Sequence, residues 1–346
     1  MVAAAPSPTG IIVRQGGLPD NLPSGRSSTT RQVRRSNRKL RMAISKFPGV
    51  IPILATPFNQ DESLDLDSLQ RMINFMVALG VDGITVLGVL GESNRLNDHE
   101  REALIKSAVA TAGKRIPVIV GTSHAGSAAA TYLSRMAEDL GADAVMVAPA
   151  REPVANDTRI VEYYGRIANG TTLPIVLQDH PASTEVQMSV PLILRIVSEV
   201  SAVACIKAEA VPTPPKILAL RAGLPRQVTI LSGLGALYAP FDLEAGSDGF
   251  NTGFAFPEVL MAMVAAAQAK NFDRVNALYS RFAMLIVFEQ QPGLAIRKEI
   301  LRLRGLIAGN AVRHPGATIA PAIAADVAAL VKRTLPNIDI TKPVAV

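Results

Sequence analysis

Short apolar runs recur along the chain from about residue 47, separated by longer segments whose apolar positions have a different spacing. The runs have the length of buried strands, and they follow one another at intervals of roughly 20 to 34 residues. They occupy residues 49–57, 82–88, 116–121, 143–149, 173–178, 203–207, 227–233 and 247–253. Between the runs, apolar residues recur at helical spacing, as at Leu66, Leu69 and Ile73. This alternation predicts βα units around a parallel sheet.

Eight such units favour a closed (β/α)8 barrel, the TIM barrel, over an open doubly wound sheet. The open sheet stays as the alternative, although no GxGxxG motif follows the first run. Beyond residue 258 the pattern is helical throughout, with more helices than one barrel unit needs. We therefore predict a barrel core over residues 47–257. Residues 258–346 are predicted to form the final barrel helix and a C-terminal helical extension, packed on the barrel or on a neighbouring subunit.

Residues 1–46 differ from the rest of the chain, with nine basic residues against one acidic residue and no apolar period. A segment of this composition does not bury enough surface to fold alone. It is predicted to be a disordered basic tail or a transit-like segment, since such segments are rich in Arg and Ser and poor in acids. Another interpretation makes Met42 the first residue. We expect a cytoplasmic protein, or a mitochondrial one if the segment is a transit peptide.

The net charge of +6 over 346 residues comes from this basic segment, and the remaining chain is slightly acidic. A nucleic-acid partner is therefore not expected. No apolar stretch approaches the roughly 20 residues that span a bilayer, so no membrane partner is expected either. The single cysteine, Cys205, excludes an internal disulfide. The four histidines lack a metal-ligand spacing, so no metal site is predicted.

The run at 203–207 ends in a lysine, Lys207, and strand periodicity points Glu209 to the same side. Burial disfavours the ammonium form of lysine, so such an amine can be neutral near neutral pH and attack a carbonyl carbon. The alternative is that the strand simply emerges into water at Lys207, because most lysines are solvated.

Barrel enzymes build their sites from the C-terminal ends of the strands and the loops that follow, so polar residues at these ends are predicted to converge. The turn after the second run has free amides between glycines, which suits an anion such as the carboxylate of a 2-oxo acid. This turn contains Gly88, Val89, Leu90 and Gly91. The other candidates are Glu92 after the second run, Gln178, Asp179 and His180 after the fifth, Ser232 after the seventh, and Asn251 and Thr252 after the eighth. Each also has an ordinary structural interpretation in a turn or a helix cap.

Five stretches resemble the dihydrodipicolinate synthase and N-acetylneuraminate lyase family, and the match runs from about Val50 to near residue 310. They are IPILATPFNQDESLDLDSL, LGVLGESNRLNDHER, PIVLQDHP, ACIKAEA and LRLRGLI. The resemblance implies a TIM barrel and a Schiff-base lysine, Lys207, that condenses with pyruvate or a related 2-oxo acid. It also implies a homotetramer that needs no metal or other cofactor.

Several positions depart from that family. Val89 and Leu90 stand where the synthases have two threonines in the glycine turn, and Gln178 stands where most members have a tyrosine proton shuttle. The arginine expected for the second substrate aligns near Ser183. These losses weigh against the synthase reaction, which condenses pyruvate with a semialdehyde through those groups.

The tyrosine pair after the fourth run is replaced by Ala150 and Arg151, and Arg151 is a candidate for binding a remote carboxylate or hydroxyl of an acidic sugar. The QDHP stretch together with the Lys207 and Glu209 pair is similar to the 2-keto-3-deoxy sugar-acid dehydratases, such as the L-2-keto-3-deoxyarabonate enzyme. In this interpretation Lys207, Glu209 and Gln178 are catalytic. Glu209 is the first candidate for the general base, before Glu92, Asp179 and His180.

We therefore expect a class I lyase that cleaves or dehydrates a 2-keto-3-deoxy sugar acid or a related pyruvate-derived compound. One alternative is a 4-hydroxy-tetrahydrodipicolinate synthase, which condenses pyruvate with aspartate semialdehyde. Another is a barrel that binds a 2-oxo acid without catalysis. A metal-dependent aldolase lacks ligands in this sequence.

Overall fold

The computed structural model describes residues 47–154, 156–290 and 293–346. Eight parallel strands form one sheet in the order β1-β8-β7-β6-β5-β4-β3-β2. The strands are β1 (Gly49–Val50), β2 (Ile84–Val86), β3 (Val118–Gly121), β4 (Ala144–Val147), β5 (Ile175–Asp179), β6 (Val203–Ala208), β7 (Thr229–Ser232) and β8 (Gly249–Phe250). The predicted disordered tail, residues 1–46, lies outside the described residues.

The residues that follow β1 close the sheet against β2. The Thr85 amide donates to the Pro52 carbonyl and the Leu54 amide donates to the Thr85 carbonyl, both at 2.8 Å, and Ile53 forms a parallel bridge with Thr85. Pro52 has no amide hydrogen to give to a ladder, which explains why β1 is shorter than the predicted run. The predicted (β/α)8 barrel is confirmed, and the open doubly wound sheet is wrong.

Helices alternate with these strands and cover the outside of the barrel. The barrel helices are α1 (Leu66–Leu79), α2 (Asp98–Ala112), α3 (Ser127–Asp139), α4 (Asp157–Gly170), α5 (Pro181–Thr184), α6 (Val190–Glu199), α7 (Thr213–Gly223), α8 (Ala239–Glu244) and α9 (Pro257–Gln268). The predicted C-terminal helical extension contains α10 (Phe272–Phe288), α11 (Leu294–Leu303) and α12 (Pro321–Thr334). Helix α12 packs against both α10 and α11.

The apolar core lies in two layers, as expected for a closed barrel. One layer fills the barrel interior and includes Ile51, Ile119, Val176 and Cys205. The second and larger layer lies between the strands and the surrounding helices. Because Lys207 follows Cys205 by two residues on β6, its side chain lies above the packed interior, at the C-terminal end of the barrel. Among the helices of the described residues, none is long and apolar enough to cross a membrane.

Barrel closure requires glycine at position 249. Gly249 has a φ of 146°, and a Cβ added there would lie 1.9 Å from the Gly49 carbonyl oxygen. Gly249→Ala is therefore expected to lower the free energy of unfolding by about 2 kcal/mol or more. Gly165→Ala is the matched control, because Gly165 lies within α4 and an added Cβ would meet no atom within 4 Å beyond its chain neighbours and the backbone of its own helix.

The control substitution is expected to raise stability by roughly 0.5–1 kcal/mol, since alanine loses less backbone entropy than glycine in a helix. Denaturant unfolding of the two variants beside the wild type measures both values. Equal stability of Gly249→Ala and the wild type would contradict the closure described here.

Candidate active site

Lys207 lies almost completely buried at the C-terminal end of the barrel, with 3% of its surface exposed. Its Nζ is 3.1 Å from Oε2 of Glu209. Both side chains line a cavity of about 90 Å³. The interpretation that the strand merely emerges into water at Lys207 does not hold, because the side chain is buried and lines this cavity.

Glu209 is held by its neighbours on both sides. Nε2 of Gln178, on the adjacent strand β5, donates to Glu209 Oε2 at 2.8 Å, and the Leu234 amide donates to Oε1 at 3.3 Å. Gln178 and Lys207 are register partners between β5 and β6. Gly233 makes room for the carboxylate, because a Cβ there would lie 2.3 Å from Glu209 Oε1. The carboxylate therefore has one orientation, facing both the amine and the amide.

Burial lowers the pKa of Lys207, and the charge of Glu209 only partly opposes this effect. Burial alone would raise the pKa of Glu209, but the charges of Lys207 and His180 and the bond from Gln178 keep it below its usual value. Glu209 is thus a carboxylate at neutral pH, next to an amine that loses its proton more readily than an exposed lysine. An amine of this kind is suited to nucleophilic attack.

The glycine turn also reaches the cavity, because Val89 and Leu90 line it. The amides of Gly91 and Glu92 close the turn by donating to the carbonyls of Gly88 and Val89, at 2.9 and 3.1 Å. In the described ranges, the amides of Val89 and Leu90 donate to no protein acceptor. They are consequently available to an anion.

His180 also lines the cavity. Its Nδ1 is 2.6 Å from Oγ of Ser183. Burial lowers the pKa of His180, although the charge of Glu209 raises it. The imidazole is therefore held largely neutral beside the cavity.

The structure does not bring Glu92 or Asp179 into the cavity. Lys298 lies 2.5 Å from Oε1 of Glu92, and Arg95 donates to Oε2 at 2.7 Å. Asp179 lies next to Gln178 on β5, so its side chain points to the other face of the sheet, where Lys216 Nζ is 2.6 Å from Oδ2. Burial raises the pKa of Asp179. Both carboxylates are engaged with cations outside the cavity.

Ser232, Asn251 and Arg151 do not line the cavity of Lys207 either. Ser232 donates to Asp242, and Asn251 Nδ2 donates to the Ile51 carbonyl at 2.8 Å and so ties β8 to β1. Arg151 is 69% exposed, pairs with Glu185, and lines a separate cavity of about 940 Å³ on the loops after β3, β4 and β5. No lysine is among the described residues that line that cavity, so the smaller cavity is the candidate active site.

Five of the described residues that line the cavity escaped the sequence prediction, and two of them belong to the C-terminal extension. Arg297 on α11 and Gln290 before it line the cavity together with Ile53, Leu234 and Gly235. Gln290 Nε2 is buried with no partner in the part of the chain that the structure describes. No periodicity signal marks Arg297, because a charged residue in a helix normally indicates the solvated face. In the same part of the chain, no group of three or more His, Cys, Asp and Glu residues is arranged to hold a metal ion.

The fold and the comparisons with known proteins together define a lyase built on a (β/α)8 barrel. The chain belongs to the Dihydrodipicolinate synthetase family, whose sequence model matches residues 46–334. The resemblance found in the sequence motifs is thus confirmed, and with it the assignment as an enzyme. The alternative of a barrel that binds a 2-oxo acid without catalysis is not retained.

Two curated relatives and one crystal structure illustrate the similarity. The chain is 31% identical over 293 residues to an L-2-keto-3-deoxyarabonate dehydratase of Azospirillum brasilense, covering 83% of this chain and 94% of that protein. It is 33% identical over 273 residues to a 4-hydroxy-tetrahydrodipicolinate synthase of Persephonella marina, covering 78% and 92%. The crystal structure of dihydrodipicolinate synthase from Rhodopseudomonas palustris superposes with a TM-score of 0.79 at 35% identity, covering 83% of this chain and 97% of that one.

Treatment with pyruvate and borohydride is expected to modify Lys207 and to leave Lys298 unmodified. Lys298 is the matched control, because it is also buried with a lowered pKa but is paired with Glu92 outside the cavity. Since the pKa of Lys207 is lowered, trapping is expected to persist as the pH falls from 10.5 and to decline only below the lowered value. Peptide mapping by mass spectrometry at several pH values measures this, and modification of Lys298 instead would contradict the site.

Proposed function

We propose that the protein is a class I lyase in which Lys207 forms a Schiff base with a 2-keto-3-deoxy sugar acid, and that the following step is dehydration. The observation that carries this proposal is the Glu209 carboxylate, which is within 3.1 Å of Lys207 Nζ and 2.8 Å of Gln178 Nε2. A carboxylate in this place can take a proton and return it, which the Gln178 amide cannot do. The dehydratase relative from Azospirillum brasilense supports the same assignment.

The first step joins the substrate to the enzyme. The neutral Lys207 amine attacks the C2 carbonyl carbon, and loss of water gives an imine, which becomes the iminium by taking up a proton that the final hydrolysis returns. The free amides of Val89 and Leu90 bind the neighbouring carboxylate by hydrogen bonds. The positive iminium then makes the C3 hydrogen more acidic.

The second step removes water from the bound substrate. Glu209 takes a proton from C3, and the resulting enamine expels the C4 hydroxyl. The hydroxyl leaves as water after receiving the same proton from Glu209, so the carboxylate is regenerated. Hydrolysis of the remaining iminium releases the product and restores the Lys207 amine.

Aldol cleavage is the second candidate, and the same carboxylate supports it. Glu209 would then take the proton of the C4 hydroxyl, and the C3–C4 bond would break to an aldehyde and the enamine of pyruvate. The synthase reaction of relatives such as that from Persephonella marina is a third candidate. Val89, Leu90, Gln178 and Ser183 weigh against it, because none of them supplies the hydroxyl relay, the tyrosine or the arginine that the sequence comparison led us to expect.

The substrate assignment is tested by incubating the purified protein with a series of 2-keto-3-deoxy sugar acids. We expect loss of water without release of pyruvate. Incubation with pyruvate and aspartate semialdehyde is the parallel assay, and no condensation is expected. Release of pyruvate would favour the aldolase, and efficient condensation would overturn the dehydratase assignment.

Glu209→Gln is expected to lower kcat by about 10²- to 10⁴-fold, because a positioned proton carrier is lost. Imine formation is expected to remain, since Glu209 raises the pKa of Lys207 and its removal keeps the amine neutral at still lower pH. Steady-state kinetics and borohydride trapping of the same variant separate the two effects. Loss of trapping together with turnover would contradict the division of roles.

We further propose a homotetramer in the cytoplasm, or in mitochondria if residues 1–46 act as a transit peptide. Family resemblance and the helical extension support the assembly. Light scattering after size-exclusion chromatography tests it.

A further inference from the structure

Arg297 is a buried cation at the cavity of Lys207. It lies in the first half of α11 (Leu294–Leu303), and its side chain is 3% exposed. Its Nε donates to Glu289 Oε2 at 3.0 Å. Glu289 in turn is fixed by the Ala255 amide, which donates to its Oε1 at 3.1 Å. The guanidinium is therefore held in one orientation from one edge.

The other edge of the guanidinium faces the cavity. In residues 47–154, 156–290 and 293–346, its two terminal nitrogens donate to no acceptor. These two nitrogens have no partner among the described residues, yet they are not among the completely buried polar atoms. Because Arg297 lines the cavity, we infer that they are accessible from it. A buried guanidinium with free donors is costly unless something in the cavity accepts them.

Arg297 lies on the side of the cavity that contains the glycine turn. A Cβ added to Gly253 would lie 2.5 Å from Leu90 Cδ1 and 3.4 Å from Arg297 Cδ, so the two side chains are neighbours. Val89 and Leu90 offer only their amides to a ligand, because their side chains are aliphatic. The glycine turn thus supplies uncharged amide donors next to the charged guanidinium of Arg297.

An acidic ligand needs a positively charged partner in the cavity, because the cavity also contains the carboxylate of Glu209. Lys207 must be neutral to attack a carbonyl, and Glu209 must be a carboxylate to act as the proposed base, so Arg297 is then the permanent cation among the described residues that line the cavity. Without it, an approaching 2-oxo acid would meet the negative charge of Glu209. The charge of Arg297 also adds to burial in lowering the pKa of Lys207.

We propose that Arg297 binds the carboxylate of the 2-oxo acid and selects acids over neutral carbonyl compounds. A guanidinium matches the geometry of a carboxylate and forms strong hydrogen bonds with it. The cavity of about 90 Å³ is small beside typical ligand sites of roughly 300–1,000 Å³, and both Lys207 and Arg297 line it, so a carboxylate next to the attacked carbon is within reach of Arg297. This inference rests on the proposed function for the identity of the ligand.

The test compares oxamate, a pyruvate analogue that does not form an imine, with its neutral ethyl ester. The variant is Arg297→Met combined with Glu289→Gln, which leaves no unpaired buried carboxylate. The control is Arg302→Met with Glu299→Gln, a pair on the same helix with an exposed arginine, which changes the net charge equally. Arg297→Lys is a milder variant that keeps the cation and should fold if the double variant does not.

Calorimetry is expected to show oxamate binding weakened on the order of 10- to 100-fold in the Arg297 double variant and less in Arg297→Lys. Binding of the ethyl ester and both affinities of the control should stay unchanged. Equal weakening of acid and ester, or no oxamate binding by the wild type, would overturn the proposal. Borohydride trapping with pyruvate is run in parallel, and its failure alongside intact oxamate selectivity would overturn the Schiff-base function but not the role of Arg297.

Discussion

The contact between Lys207 and Glu209 is the interaction on which the proposed chemistry of this barrel depends. Two ionisable groups 3.1 Å apart at the end of a packed interior are costly to bury, and removing one partner of such a pair typically costs about 3–5 kcal/mol. The barrel offsets this cost with the Gln178 amide and the Leu234 backbone amide, which both donate to the carboxylate. Burial lowers the pKa of the Lys207 amine, while these two hydrogen bonds help to keep the pKa of Glu209 below its usual value.

The C-terminal extension contributes a residue to the candidate site and also contacts the segment that follows the glycine turn. Lys298 reaches from α11 to Glu92, directly after the glycine turn, while Arg297 on the same helix turns its donors into the cavity. One helix therefore fixes the position of the turn from outside and adds a charge inside. The predicted barrel core and helical extension are thus joined in a single site.

The sequence was sufficient to predict the barrel and the central pair, because strand periodicity and the end of an apolar run are local features. Lys207, Glu209 and Gln178 follow from the rule that barrel sites form at strand ends. The neighbours of these residues were harder to assign, since one step along a strand turns a side chain to the other face. Asp179 contacts Lys216 outside the barrel, and Thr252 lines the cavity whereas Asn251 does not. Arg297 depends on the packing of a distant helix, which no local pattern specifies.

A crystal structure of the full chain soaked in pyruvate tests the central claim most directly. We expect continuous density between Lys207 Nζ and C2 of the ligand, with the carboxylate within hydrogen-bond distance of the Val89 and Leu90 amides and the Arg297 guanidinium. Pyruvate bound without a covalent link, attached to another lysine, or found in the cavity beside Arg151 would contradict the account.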